Sequence, residues 1–161
     1  MSGPVPSAPR RLTPDDPALP GVLALIRTTF AYMEGRIDPP SSMHRLTLEK
    51  ISEQAATAEA WVIEDDGRAV ACVFLRPKDR ALYLGKLAVA MSHRGQGLAR
   101  LLVGLAEARA RELGLEAVEL QSRVELTDNH SAFAALGFRV AGETAHPGFA
   151  EPTSLTFVKP V

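Results

Sequence analysis

The chain is short of cysteine and of net charge, and each shortage excludes something. One cysteine among 161 residues cannot close an internal disulfide, so this is no disulfide-stapled scaffold, and it suits a reducing compartment. A formal net charge of −1 argues against nucleic acid as a main partner, because binding phosphates normally calls for a basic excess. No apolar run approaches the roughly 20 residues that a membrane helix needs. The opening residues Met1 to Pro6 carry no apolar stretch of signal-peptide length. The four histidines are scattered and the cysteine stands alone, so no metal-ligand spacing exists. No Gly-x-Ser-x-Gly elbow occurs either, which argues against a serine hydrolase. The expectation is a cytoplasmic, metal-free protein with neither membrane nor nucleic acid as partner.

What is present is an ordinary globular composition, 46% apolar and 23% charged, of a length that suits one core. Six of the twelve prolines fall within the first twenty residues. Residues 1–9 therefore read as a flexible, proline-rich leader and 10–161 as a single domain.

Periodicity gives alternating elements. Arg10–Leu12 reads as a short strand. Thr13-Pro14-Asp15-Asp16-Pro17 reads as a helix start, with Thr13 as cap and proline in the first turn. Leu19, Val22, Leu23, Ile26 and Phe30 follow at helical spacing. A second helix covers Thr47–Thr57. Trp61–Glu64, Ala69–Leu75 and Leu82–Val89 read as three antiparallel strands, joined by turns at Asp65–Arg68 and Pro77–Arg80. An amphipathic helix runs from Gly97 to Leu113, with Leu98, Leu101, Leu102, Leu105, Ala106 and Leu113 as its apolar face and Gly114 as its cap. Val118–Ser122, a short helix Asn129–Leu136, and strands Phe138–Ala141 and Ser154–Val158 complete the chain. The fold class is mixed α/β: a mostly antiparallel sheet of about six or seven strands, with one parallel pair and about four helices on both faces.

The segment His93-Arg94-Gly95-Gln96-Gly97-Leu98-Ala99-Arg100 lies where a strand ends and a helix begins. Free N–H groups at the helix start, two glycines, and the charges of Arg94 and Arg100 suit a diphosphate. A dinucleotide fingerprint would place Gly or Ala where Arg100 stands, and no P-loop lysine is present.

This segment resembles the Gln/Arg-x-x-Gly-x-Gly/Ala signature of the GNAT N-acetyltransferase superfamily. Leu87-Ala88-Val89 resembles the strand that enters that loop. Asn129-His130-Ser131-Ala132-Phe133-Ala134-Ala135-Leu136-Gly137-Phe138 resembles the family's second signature. The order and spacing match over about residues 10–160. The resemblance implies a domain in which the parallel strands splay into a cofactor cleft and acetyl-CoA donates its acetyl group to an amine of a small molecule or peptide. It implies that Leu87, Ala88, Val89, Arg94, Gly95, Gln96, Gly97, Leu98, Ala99 and Arg100 hold CoA. Asn129 would lie near the CoA arm and Phe133 beside the sulfur. Family members often dimerise, so a homodimer is a further expectation.

The catalytic groups depart from the family pattern. Gly85 stands where many members carry a catalytic Glu, and Phe133 where many carry a Tyr. Three replacements are candidates. Tyr83 shares a strand face with Gly85. Glu125 lies just past the parallel strand. His146 lies in the loop between the last two strands, and histidine readily serves as a base at neutral pH. The loop between the first two helices supplies acceptor-binding candidates in Arg36, Asp38, Ser41, Ser42 and His44. The missing Glu and Tyr leave an alternative reading: a non-catalytic module that binds or senses acyl-CoA.

Overall fold

The computed structural model describes residues 6–31, 35–39 and 41–161; the side chains of Ser42 and His44 lie outside the described set. Seven strands form one open sheet in the order β1-β2-β3-β4-β5-β7-β6. They are β1 (Arg10–Arg11), β2 (Glu59–Asp65), β3 (Arg68–Lys78), β4 (Ala81–Val89), β5 (Ala117–Arg123), β6 (Arg139–Thr144) and β7 (Ser154–Pro160). Every neighbouring pair is antiparallel except β4 with β5. Four α-helices accompany the sheet: α1 (Leu19–Ala31), α2 (Leu48–Thr57), α3 (Leu98–Glu112) and α4 (Thr127–Ala135).

The apolar run of β3 is buried on both sides, which is why it lacks polar alternation. Val73 and Leu75 join one core with Leu82, Val118, Phe157 and the α3 residues Leu102, Ala106 and Ala110. Cys72 and Phe74 join the opposite core with Val22 and Ile26 of α1 and Ile51 of α2. Burial pushes the Cys72 thiol up to about 12, so it packs as a small hydrophobe and is not a nucleophile.

Local chemistry fixes the joints. Asp66 and Gly67 both take positive φ, 52° and 75°, as a two-residue I′ hairpin turn between β2 and β3 requires. Thr47 Oγ1 caps α2 by accepting from the Lys50 N–H at 3.2 Å. At the end of α3, the Leu115 N–H donates to the Ala110 carbonyl and the Gly114 N–H to that of Arg111. With Gly114 at φ 73° this is a Schellman stop. Glu59, buried between β2 and α3, receives Arg109 at 2.9 and 2.8 Å and the Trp61 indole at 3.0 Å. Burial opposes its charge, but these bonds hold its carboxyl below the ordinary value.

Three expectations need correction. The first helix does not start under a Thr13 cap. Asp16 performs that task, accepting from the Ala18 N–H at 3.0 Å, and α1 begins at Leu19. Leu101 and Leu113 are not on the buried face of α3, being 47% and 43% exposed; Val103 and Ala110 lie there instead, because the 3.6-residue period rotates the stripe. The turn after β3 is confined to Asp79–Arg80, since Pro77 pairs with Leu82 and Lys78 with Ala81. The β2 ladder ends at Leu75, so β3 is an edge there and accepts a residue without an N–H. The structure adds one feature with no counterpart among the expectations: β4 carries one extra residue. Cys72 pairs with Ala88 but Phe74 with Gly85, and Lys86 sits in the bulge at φ 51°.

Asp16 anchors the start of the domain. Its buried carboxylate receives Arg10 at 2.7 and 3.2 Å, together with the Thr13 and Ala18 N–H groups. The Arg10 bonds overcome burial and lower its pKa from 3.8 to about 2. A depressed folded-state pKa contributes stability that is present above the unfolded value and disappears as pH falls. The urea midpoint should therefore decline from about pH 4 toward pH 2. Asp16→Asn should cost roughly 1–3 kcal/mol at pH 7 and flatten that part of the pH profile. An unchanged profile would refute the anchoring role.

Candidate active site

The parallel pair is held by only three rungs, Ala81–Ala117, Leu82–Val118 and Tyr83–Glu119. Beyond them β4 continues to Val89 and β5 to Arg123 with no rung between them. Each strand follows its outer neighbour instead. β4 stays with β3 as far as Ala71–Val89, and β5 stays with β7 from Ala117–Pro160 to Arg123–Ser154. The result is a wedge-shaped gap. The Ala90 N–H donates to Val70 O at 2.8 Å, so Ala90 turns toward β3. Strand alternation then turns Ala88 toward β3 as well and leaves the backbone groups of Leu87 and Val89 facing the gap.

At the head of the gap a 3-10 turn, Met91–His93, leads into the glycine segment. Gly95 and Gly97 have φ of 79° and 78°, and a Cβ on either would meet nothing within 4 Å. Glycine is needed here for the backbone angle, and the space beside it is open. Gly97 caps α3 without any side-chain bond, and the first helical bond runs from the Leu101 N–H to Gly97 O at 3.0 Å. The N–H groups of Leu98, Ala99 and Arg100 precede that bond, at the positive end of the helix. Leu98 is buried and anchors the segment, whereas Arg94, Gly95, Gln96, Gly97 and Arg100 are exposed. A groove of about 470 Å³ between α1 and the β2–β3 hairpin reaches this loop at Val89, Met91 and Arg94.

Sequence reasoning missed the tether of this loop. His93 Nε2 donates to Asp65 Oδ2 at 2.6 Å, while His93 Nδ1 lies 2.7 Å from Ser92 Oγ. A ring N–H donates and a carboxylate oxygen accepts, which sets the direction of the Asp65 bond. The two partners are 28 positions apart, and no local pattern announces them.

Tyr83 stands at the vertex of the gap, on its last rung. Its ring lies over Gly85, with Cε1 3.4 Å from where a Gly85 Cβ would be. Burial raises the phenol pKa, while Lys78, Arg76 and a bond from the Gln121 backbone act against that rise. The phenol is accordingly a proton donor and not an anion at neutral pH. Arg76 lies 4.8 Å and the Lys78 ammonium 5.3 Å from the ring centre. Lys78 pairs with Glu119 at 2.9 Å.

The other two catalytic candidates lie elsewhere. Glu125 accepts the Asp38 N–H at 2.9 Å. Ile37 packs with Leu126 and Phe30, so the segment after α1 docks on the end of β5. The backbone N–H and Nδ1 of His146 both meet Thr153 Oγ1, and Thr153 O in turn accepts the Val124 N–H at 3.0 Å. From the Glu119 rung to Arg123 is roughly 13 Å along the strand. Tyr83 is thus at the vertex, and Glu125 and His146 are at the far mouth.

The remaining candidates are placed as follows. Asn129 sits in the first turn of α4 and donates its N–H to Leu126 O at 3.0 Å. Phe133 packs against Phe157 and Phe138 at 5.5 and 6.2 Å. Ser41 Oγ accepts from the Met43 N–H at 3.1 Å and caps a 3-10 turn. Arg36 and Asp38 are exposed. The Ser42 and His44 side chains lie outside the described residues. Among the described residues, no three metal-ligating side chains converge and no helix is long and apolar enough to cross a membrane.

The framework is an open mixed sheet that splays at one parallel pair, with a glycine-capped helix at the head of the gap. The acetyltransferase (GNAT) family model matches residues 23–138, and the chain belongs to that family. It is 32% identical over 100 residues to "Probable N-acetyltransferase 14" of Danio rerio. That match covers 60% of this chain and 36% of the longer relative. It is 28% identical to a nourseothricin acetyltransferase, with 65% of each chain covered and a TM-score of 0.58. The PaiA N-acetyltransferase of Thermoplasma acidophilum, solved with coenzyme A, shares the fold at a TM-score of 0.79 and 14% identity, covering 95% of this chain and 98% of its own.

The glycine angles generate a test. Gly97→Val forces a β-branched residue to φ 78° and should cost about 1–2 kcal/mol in urea unfolding. Gly97→Asn should cost clearly less, because Asn tolerates this region. Equal losses would contradict the open space beside the glycine.

Proposed function

We propose that this chain is an acetyl-CoA-dependent N-acetyltransferase that passes the acetyl group to a primary amine of a small molecule or peptide by direct attack on the thioester. The observation that carries this reading is the gap itself. Backbone groups of Leu87 and Val89 face the gap with no β5 rung beside them among the described residues, and the gap leads straight to the start of α3, which Gly97 caps without a side-chain bond. Buried polar backbone requires partners. The amide-bearing arm of CoA supplies them as a strand would, and its diphosphate suits the N–H groups from Gly95 to Ala99. Arg94, Gln96 and Arg100 line the same loop, with Asn129 and Phe133 on the α4 side.

An N–H of Leu87 or Val89 would stabilise the negative charge that develops on the thioester oxygen. The amine attacks the carbonyl carbon, the C–S bond breaks, and the departing thiolate takes a proton. Tyr83 is suited to give that proton, since it is neutral and stands at the vertex. The amine must arrive deprotonated. Water reaching the mouth near Glu125 and His146 would carry its proton away, and alignment in the gap lowers the remaining barrier. Arg36, Asp38 and Ser41 lie on the segment that roofs the acceptor side, with Ser42 and His44 in the same stretch of sequence. A cytoplasmic location and a homodimer complete the proposal, the first because acetyl-CoA is an intracellular metabolite.

Gly85 and Phe133, which lack the family's customary carboxylate and phenol, favour a second reading: a module that binds acyl-CoA without turnover. Two measurements decide. Saturating acetyl-CoA should raise the melting temperature by about 5 °C or more, and no shift would refute both readings. Release of free thiol above background with an amine panel would reject the binding module. Tyr83→Phe should slow turnover by about a hundredfold while the acetyl-CoA melting shift stays the same. Unslowed turnover would remove Tyr83 from the mechanism.

A further inference from the structure

Among the described residues, two cations beside the vertex have no counter-ion. Arg76 is the cross-strand partner of Tyr83, and its guanidinium lies 4.8 Å from the ring centre. Lys86 occupies the β4 bulge between Gly85 and Leu87, with its ammonium 5.3 Å from the Phe74 ring. Both side chains share the sheet face of Phe74 and Tyr83, at the margin of the α1 core. Among the described residues, the carboxylate of this cluster is Glu119, and it is engaged by Lys78 at 2.9 Å. No ion pair of Arg76 or Lys86 forms among those residues. Burial lowers the Lys86 pKa, and the Arg76 charge adds to that against the Cys72 thiol. Like charges held together, one of them half-buried, destabilise each other, and an anion placed between them removes the penalty.

We infer that Arg76 and Lys86 form an anion subsite on the acceptor side of the gap, so that the preferred acceptor is a primary amine carrying a carboxylate, of amino-acid or acidic-peptide type. The subsite rests on the transferase reading for its meaning, because it lies next to the vertex where the amine would meet the thioester. Two fixed positive charges there also repel polyamines. Discrimination of this kind is set as much by the repelled substrate as by the bound one.

The test separates the subsite from the transferase reading. Calorimetry with the CoA-loaded protein would compare N-acetylglutamate with the diamide of the same skeleton. The acid should bind about tenfold tighter or more, and Arg76→Gln and Lys86→Gln should each remove most of that preference. Equal binding, no binding of either, or a preference that survives Arg76→Gln overturns the subsite. Arg76 is exposed, so its variant keeps the test valid if substitution in the bulge impairs folding. In parallel, thiol release would be compared for glutamate and spermidine. Faster turnover of spermidine overturns the subsite while upholding the transferase. Release with no amine, alongside a retained preference for N-acetylglutamate, overturns the transferase and upholds the anion site.

Discussion

The site exists because two parallel strands stop sharing hydrogen bonds after three rungs. β4 remains tied to β3 and β5 remains tied to β7, so neither can follow the other once they diverge. A twisted sheet tolerates such a parting only if the freed backbone is met by something else. The extra residue at Lys86 belongs to the same constraint. A bulge bends its strand and strengthens the local twist, and here it falls where β4 turns away from β5. The gap, the residues along its walls and the position of its vertex follow from this one departure from regular pairing.

The elements around the gap are held stiffly, each by a different force. α3 presents its N-terminus at the head of the gap. Leu98, Leu102 and Ala106 fix one side of it by burial, and the bidentate Arg109–Glu59 pair ties its far half to β2. The loop before it is fastened independently through His93 and Asp65. On the opposite side, the segment after α1 is pinned to the end of β5 by Ile37 on Leu126 and by the Asp38–Glu125 bond. A preorganised site of this kind spends little free energy on ordering when a ligand enters.

Charge is distributed in the same economical manner. The chain as a whole carries −1, yet the head of the gap and the floor beside Tyr83 are locally positive. Backbone dipoles supply much of the first, and Arg76 and Lys86 supply the second. A polyanionic donor therefore needs no basic protein, only uncapped amides and a few well-placed guanidinium or ammonium groups.

The sequence alone determined the features that depend on one residue's own backbone or on its near neighbours. Gly95 and Gly97 announced a close-approach loop between a strand and a helix, Asp66-Gly67 announced a hairpin, Gly114 announced a helix stop, and the Asn129 to Phe138 stretch announced a short helix before a strand. These are legible because steric limits on φ and the periods of helix and strand act over a few residues. The tertiary structure decided whatever requires distant groups to meet. It turned Leu101 to solvent, gave the first cap to Asp16, placed the bulge at Lys86 and bound His93 to Asp65. It also separated Tyr83 from Glu125 and His146, which the sequence could only name together as candidates. Partners 28 or 87 positions apart are chosen by how the sheet and helices pack, and packing is a property of the whole chain.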